Sequence, residues 1–368
     1  MKVFWLFNHP APYKVDFFNV LGESIELDVL FERSSEGGRN DLFYGEKPNT
    51  FHSEVAHSLW LGPVDNLTFR PLHYLKKKDY DIIVLNGWRT LSEQIAIHYC
   101  KKHHIPYVFY INGGIPNPKE KEWIRKRKVA CIEGAEAYFS PDPCSAQYLT
   151  YYGADPERIT LYPYSSIFER ELADRPRNEK EKKALREEFG LQTKHLYVSS
   201  GQYIPRKNYE ELIGLWPKMP KDSLLVITGE GPLKEQHLQQ IKSLGLDNVL
   251  LWDYIPHDKL LHLFQAADAF ILLSKEDIYG HVVNEALSQG IPVIAGNNIN
   301  AGKHLIHDGI NGFVVELGNT ESILSALHNV LNPTYQENAL QVARRNTIEA
   351  SAKFHLAFFE EYLRRKSK

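Results

Sequence analysis

Short apolar runs alternate with amphipathic stretches along nearly all of this 368-residue chain. Runs such as VFWLFN at residues 3–8 and AFILL at residues 269–273 are bounded by polar residues and glycines. Between the runs, apolar residues recur at helical spacing. This alternation is typical of parallel strands connected by crossover helices, so the pattern predicts an α/β fold.

The predicted strands form two series. The first series has strands at residues 3–8, 25–31, 81–86, 107–112, 137–140 and 159–162, with helices near 14–22, 90–103, 119–134 and 143–152. The second has strands at residues 195–200, 224–228, 249–254, 269–273, 292–295 and 312–315, with helices near 208–216, 232–244, 258–267 and 281–289. Because each series suffices for a sheet of its own, we predict two Rossmann-like parallel-sheet domains.

The stretch between the two series is dense in charge and suits a solvated connector. The predicted division is an amino-terminal domain at 1–170, a linker and surface helix at 171–190, a carboxyl-terminal domain at 191–345 and a terminal helix at 346–368. The terminal helix carries too many apolar residues to remain free in solvent. It can cross back to the amino-terminal domain or pack on its own domain.

Charge and cysteine content narrow the class of protein. Lys and Arg number 43 against 46 Asp and Glu, and this net charge of −3 argues against a dedicated nucleic-acid-binding protein. The three cysteines lack CxxC spacing and fit reduced thiols. Reduced thiols predict a cytoplasmic protein, and no apolar run approaches the length of a membrane span.

The most informative segment is AFILLSKEDIYGHVVNEALSQGIPVIAG at residues 269–296. It predicts a strand, an acidic loop, a short helix and a second strand. Gly280 would allow a ligand to approach the first amides of that helix, which favour phosphate oxygens. Glu285 borders the packed face and needs a partner, either a ribose diol or a nearby Lys or Arg. Asp277 could bind a second set of hydroxyl groups.

A second candidate site is GQYIPRKN at residues 201–208, which follows a predicted strand. Gly201 permits close backbone approach, Arg206 offers a planar fork and Lys207 a point charge, a combination suited to a diphosphate. The alternative is an ordinary solvated basic turn. The TGEGP turn at residues 228–232 is a weaker, third signal.

Taken in order, these motifs together with ADAFILLS and DGINGFVVE resemble the carboxyl-terminal domain of the retaining GT-B glycosyltransferases of family four. The resemblance covers about residues 195–320, while the amino-terminal half shares only the strand–helix rhythm. It implies two domains facing a cleft. It also implies retaining transfer of a sugar from a nucleotide diphosphate sugar to a glycan or lipid-linked acceptor, without a metal or another cofactor, as in bacterial polysaccharide or glycolipid synthesis.

The resemblance also implies roles for particular residues. Arg206 and Lys207 would neutralise the diphosphate during catalysis, Asp277 would contact the donor sugar and Glu285 the ribose. The expected donor-binding residues are Gly201, Gln202, Gly229, Ile255, Glu276, Gly280, His281, Val282 and Glu285. The acceptor-side candidates are His9, Tyr13, Asn112 and Gly113.

Two departures from the family pattern leave alternatives open. The first acidic position is Asp277 rather than glutamate, with Glu276 beside it, and Gln202 stands where many members carry arginine. These departures leave open a non-catalytic nucleotide-sugar-binding sensor or partner subunit. An inverting transferase or epimerase on the same two-domain architecture is a separate alternative. Separately, the basic segment at 119–128 is either a solvated helix face or a surface for anionic lipid.

Overall fold

The computed structural model describes residues 1–35, 47–61 and 66–366. The chain divides into two compact units, one of Met1–Ser166 with Thr347–Lys368 and the other of Ile167–Asn346. Each unit is built on a parallel sheet with helices, so the predicted fold class is confirmed.

The first unit contains a seven-stranded sheet. The first nine strands of the chain are β1 (Lys2–Phe7), β2 (Glu26–Phe31), β3 (His52–Val55), β4 (Leu59–Trp60), β5 (Asn66–Leu67), β6 (Ile82–Asn86), β7 (Val108–Tyr110), β8 (Ala137–Ser140) and β9 (Ile159–Leu161). The strand order is β3-β2-β1-β6-β7-β8-β9, and every neighbouring pair is parallel. Strands β4 and β5 form a separate antiparallel pair.

Helices of the first unit follow its strands as crossover connections. They are α1 (Pro12–Gly22), α2 (Arg70–Lys77), α3 (Leu91–Lys102), α4 (Glu122–Ile132) and α5 (Pro143–Tyr151). Five successive residues of β1, Val3 to Phe7, are buried. Such a continuous buried run is expected of a parallel strand covered on both faces, and it explains why β1 reads as uninterrupted apolar sequence.

The second unit contains a six-stranded parallel sheet. Its strands are β10 (His195–Ser200), β11 (Ser223–Thr228), β12 (Val249–Trp252), β13 (Ala269–Leu272), β14 (Val293–Gly296) and β15 (Gly312–Val315), in the order β12-β11-β10-β13-β14-β15. Its helices are α6 (Glu179–Glu188), α7 (Tyr209–Leu215), α8 (Lys234–Ser243), α9 (His257–Ala266), α10 (His281–Ser288), α11 (Asn300–Leu305), α12 (Thr320–Asn329) and α13 (Thr334–Ala343).

The stretch at 171–190, expected to be a linker with a surface helix, lies within the second unit. Two cations of α6, Lys182 and Arg186, are buried against Asp268, at 2.9 and 2.8 Å. Burial alone would raise the pKa of Asp268, but the His195 ring, 3.7 Å away, and the two cations outweigh it and lower the pKa to about 2. Part of this charge-dense sequence therefore attaches the helix to the sheet.

The last helix, α14 (Ile348–Lys366), packs on the first unit, one of the two arrangements that the sequence left open. Its partner there is α1. The buried His355 ring lies 4.7 Å from Phe139 and 5.8 Å from Trp5, and Phe359 is buried in the same aromatic cluster. Thus α14 contributes to the core of the unit that contains β1.

Several elements were not predicted from the sequence. Strand β3 consists of HSEV, the pair β4–β5 is very short, and α2 and α11 have eight and six residues. Each is too short or too polar to show a clear period. None of the described helices has the length and apolar composition needed to cross a bilayer.

Candidate functional site

The strand order of the second sheet reverses between β10 and β13, which are neighbours. The chain leaves β10 toward β11 on one side and β13 toward β14 on the other. The loops after β10 and β13 therefore begin side by side at the carboxyl edge, and the amide of Lys275 donates to the carbonyl of Arg206 at 2.8 Å. Open α/β sheets bind ligands at such a switch point.

Three predicted catalytic side chains meet at this edge. Lys207 Nζ donates to Asp277 Oδ2 at 2.8 Å, and an Arg206 guanidinium nitrogen lies 3.2 Å from the same oxygen. The Arg206 guanidinium also donates to the carbonyl oxygen of Glu276 at 2.8 Å. The Lys207 side chain is 10% exposed, whereas that of Arg206 is 42% exposed. The cluster thus combines one shielded and one accessible cation.

The Asp277 carboxylate is ionised and forms ion pairs with both cations. Burial alone would raise the pKa of Asp277, but the charges and hydrogen bonds of Lys207 and Arg206 outweigh it and hold the pKa below its usual value. Since both cations share Oδ2, Asp277 fixes the position of the two positive charges. The contact with the donor sugar that the resemblance implied stays a prediction.

Glycines at this edge allow two loops to touch. A Cβ on Gly229, whose φ is +158°, would lie 2.0 Å from the carbonyl oxygen of Gly201. A Cβ on Gly201 would lie 3.0 Å from Lys207 Cε. Loop packing and the position of Lys207 therefore account for both glycines, and their predicted contact with a ligand remains a prediction.

The loop after β13 turns into α10 through Gly280, which has φ +98° and precedes the helix directly. A Cβ there would lie 3.0 Å from Ile299 Cγ2, so a side chain would be strained as well as crowded. His281 and Val282 form the first turn and are half-buried. Their amides belong to the helix start, where backbone N–H groups lack helical partners and favour anions.

Glu285 lies one turn further along α10 and is half-buried. Its charge acts on Tyr254 and His257, which flank the predicted contact Ile255. Burial lowers the pKa of His257, but Glu171, 3.5 Å away, and Glu285 together raise the pKa above its usual value. The structure therefore places Glu285 and the loop around Ile255 in one neighbourhood.

Other predicted donor residues differ in exposure. Gln202 and Glu276 are exposed, and Ile255 is half-buried. The sequence did not single out His257 and Glu171 as neighbours of Glu285. A single histidine at a helix start and a glutamate in a charged connector form no recognisable motif.

Two acceptor-side candidates of the first unit are joined by a residue that the sequence did not single out. The hydroxyl of Tyr164 donates to Asn112 Oδ1 at 3.1 Å and lies 3.3 Å from the hydroxyl of Tyr13. Gly113 is half-buried beside Asn112, whereas His9 is buried. Tyr164 follows β9 and gives no sequence signal apart from being aromatic.

Acidic residues elsewhere have structural partners. Asp81 accepts from the backbone N–H of Lys2 at 2.7 Å and Asp79 from its ammonium group at 3.3 Å. Within the residues that the structure describes, no group of three or more His, Cys, Asp or Glu side chains is placed to hold a metal ion.

The two parallel α/β units have the GT-B architecture that the resemblance implied. Residues 181–349 match the family of glycosyl transferases group 1. This segment is nearly the whole second unit and includes every predicted donor-side residue. The resemblance to glycosyltransferases inferred from the motifs is thereby confirmed over this segment, and the retaining mechanism stays a prediction.

Curated relatives carry glycosyltransferase names, the class of enzyme expected from the motifs. An N-acetylgalactosaminyltransferase of Campylobacter jejuni, named for its action on an undecaprenol-linked diphospho-sugar, is 28% identical over 45% of this chain and 44% of its own. A D-inositol 3-phosphate glycosyltransferase of Xylanimonas cellulosilytica is 22% identical over 64% and 60%. The chain spans less than two thirds of the length of these relatives.

Solved structures match both units. HepE of Anabaena, crystallised in complex with UDP, has a TM-score of 0.76 to this chain at 17% identity, covering 98% of this chain and all of HepE. At this identity the likeness concerns the fold. The similarity extends over the amino-terminal half, for which the sequence offered only a rhythm of strands and helices.

Proposed function

We propose that this protein is a retaining glycosyltransferase, which moves a sugar from a nucleotide diphosphate sugar to a glycan or lipid-linked acceptor in bacterial polysaccharide or glycolipid synthesis. The observation that carries the proposal is the cluster of Lys207, Arg206 and Asp277 beside the start of α10. Two cations and the start of a helix at a topological switch point suit a diphosphate. The group 1 family match over the same segment supports it.

In the proposed reaction, the bond between the anomeric carbon and the diphosphate oxygen breaks, and the oxygen keeps the electron pair. Lys207, Arg206 and the first amides of α10 would stabilise that negative charge, which is the largest requirement of this step. The acceptor hydroxyl oxygen then bonds to the anomeric carbon on the face that the diphosphate left, and its proton passes to the departing diphosphate oxygen. Glu285 would accept hydrogen bonds from the ribose hydroxyls of the donor.

Asp277 has a positioning role in this scheme, because its carboxylate holds both cations. The scheme relies on protein cations for the diphosphate charge, and we expect EDTA to leave the transfer rate unchanged.

Donor binding and transfer can be tested separately on the full chain. We expect UDP or GDP, or one of their hexose conjugates, to raise the melting temperature in a thermal-shift screen. We further expect a bound nucleotide sugar to be hydrolysed or transferred with retention, as followed by NMR of the anomeric proton. Tight binding without turnover would favour a non-catalytic sensor, and an inverted product would favour an inverting transferase.

A lipid-linked acceptor would require contact with a membrane surface, for which α4 is our candidate. Trp123 is 61% exposed, and the neighbouring cations are exposed as well. Lys128 does not belong to this surface, because its ammonium group lies 2.6 Å from the Glu120 carboxylate and its side chain is 12% exposed. The basic surface therefore consists of Lys119, Lys121, Arg125, Lys126 and Arg127.

Vesicle flotation tests this surface. We expect wild-type protein to float with vesicles rich in phosphatidylglycerol and a variant with Lys119, Lys121 and Lys126 changed to Glu to remain at the bottom. A control with the exposed Lys180, Lys183 and Lys218 of the second unit changed to Glu alters the net charge equally. Equal flotation of both variants would contradict the assignment of this surface.

A further inference from the structure

Gln289, directly after α10, joins three parts of the second unit. Its buried side chain donates to the carbonyl oxygen of Glu171 at 2.8 Å and accepts from the Gln265 side chain of α9 at 2.7 Å. The backbone of Glu171 is therefore fixed to both helices, of which α9 begins with His257 and α10 carries Glu285.

The Glu171 carboxylate faces the His257 ring. Its Oε2 accepts from the backbone N–H of Phe168 at 2.8 Å, while Oε1 lies 3.5 Å from His257 Nε2. Burial alone would raise the pKa of Glu171, but the His257 ring, the Phe168 N–H and the charge of Arg170 outweigh it and lower the pKa. Glu171 is therefore ionised at neutral pH and attracts a protonated His257.

Carboxylates face His257 from three elements. Glu171 precedes α6, Glu285 lies on α10 and Asp258 follows His257 in α9. Burial alone would lower the pKa of His257, but these charges outweigh it and raise the pKa above 6.5. Tyr254, in the loop before α9, stays neutral over the same range, because burial, Glu285 and Asp258 raise its pKa. His257 therefore changes its charge close to physiological pH.

The charge of His257 affects how Glu285 is held. When the ring is protonated, one cation attracts both Glu171 and Glu285. When the ring is neutral, Glu285 loses this attraction toward the start of α9. A carboxylate receives two ribose hydroxyls only in a suitable orientation, so the attraction bears on nucleotide binding.

We propose that His257, held by Glu171, is a positioning residue for Glu285 and makes nucleotide-sugar binding dependent on pH. The proposal rests on the glycosyltransferase function proposed above and names a regulation of its donor site. The imidazolium attracts the Glu285 carboxylate and restricts its orientation before the ribose arrives. The affinity is therefore highest at low pH and falls as the pH rises above 6.5 and His257 loses its proton.

Isothermal titration of the full chain with UDP-glucose and with GDP-mannose, from about pH 6 to about pH 8.5, tests this dependence. The diphosphate of these probes keeps its charge over that range, so a change in affinity reports on the protein. We expect the wild-type affinity to fall on the order of threefold with rising pH, the size expected of a half-exposed charge pair. The fall should be absent in His257→Gln, which binds weakly throughout. It should also be absent in His257→Arg, which keeps a cation and binds tightly throughout.

Further variants identify the partners of the histidine. Glu171→Gln should move the fall to lower pH without changing its size, because the loss of one carboxylate lowers the pKa of His257. Glu285→Gln should abolish the effect of His257→Gln, since the histidine acts through that carboxylate. The matched control is His262→Gln, which removes the ring of an exposed pair with Glu188 on α9 and should keep the wild-type pH profile.

The outcomes that contradict this role differ from those that contradict the proposed function. A wild-type affinity that does not change with pH, or a fall that persists in His257→Gln, overturns the positioning role alone. An equal effect of His257→Gln with and without Glu285→Gln also overturns it, because the histidine would then act on the nucleotide directly. If UDP, GDP and both nucleotide sugars fail to bind at every pH, the proposed function is overturned as well.

Discussion

Lys207 shows how a single side chain acquires a function from its surroundings. Its ammonium group is shielded from solvent and fixed by Asp277, whereas Lys275, in the facing loop, is exposed. A charge held in a fixed position stabilises a developing anion without reorganisation, which a mobile surface lysine cannot do. Lys207 therefore differs from Lys275 because its side chain is buried and held in one position.

We expect Lys207→Met to lower kcat on the order of a hundredfold, since it removes one preorganised cation from the leaving diphosphate. Lys207→Arg should retain part of the rate, and Lys275→Met, which removes an exposed cation of the facing loop, should have nearly wild-type kinetics. Steady-state transfer assays measure this. A turnover in Lys207→Met close to that of Lys275→Met would argue against the proposed role.

Glu285→Gln should weaken binding of the nucleotide diphosphate roughly tenfold or more, as expected when hydrogen bonds to a charged acceptor are lost. Isothermal titration of UDP or GDP measures the change. The matched control is Glu235→Gln on the exposed surface of α8, which should bind as the wild type does. Equal affinities of the two variants would mean that the ribose is bound elsewhere.

At the scale of elements, α6 depends on one buried carboxylate. Asp268 pairs with Lys182 and Arg186 and accepts from the backbone amide of Leu196 at 2.9 Å. One side chain thus connects the helix to β10. A charge-dense helix that the sequence assigns to solvent is in this way part of the second unit.

Asp268→Asn should destabilise the protein by about 3 kcal/mol at pH 7, because two buried cations then face a neutral amide. The pKa of Asp268 is lowered from 3.8 to about 2, so its stabilisation is present above pH 3.8 and is lost as the pH falls toward 2. Urea unfolding of both proteins should therefore show a difference that shrinks over that interval. Asp222→Asn, at a carboxylate that is 48% exposed, should cost far less.

At the scale of the whole molecule, the chain begins and ends in the same unit. Residues 347–368 return to the first unit after the second has been completed. The aromatic cluster around Trp5 includes His355 and Phe359 of α14, and burial lowers the pKa of His355 to about 3, so its ring is neutral. The core of the first unit therefore includes side chains of α14.

Phe359→Ala should destabilise the first unit by about 3 to 5 kcal/mol, the usual cost of removing a buried phenylalanine ring. Lys353→Ala, on the exposed side of the same helix, should change the stability very little. Hydrogen exchange resolved by peptide should show faster exchange in β1 and α1 of Phe359→Ala. If exchange increased only in the second unit, the assignment of α14 to the first would be wrong.

The sequence by itself determined the two sheets, most crossover helices and the loops that carry Arg206, Lys207, Asp277 and Glu285. These features depend on the local spacing of apolar residues and on glycines at turns. Both are set by residues that are close together in the sequence. Only the tertiary structure decided which unit α14 joins, that Asp268 receives Lys182 and Arg186, and that Tyr164 connects Tyr13 with Asn112. Each of these contacts joins residues far apart in the chain, and local sequence patterns carry no information about such distances.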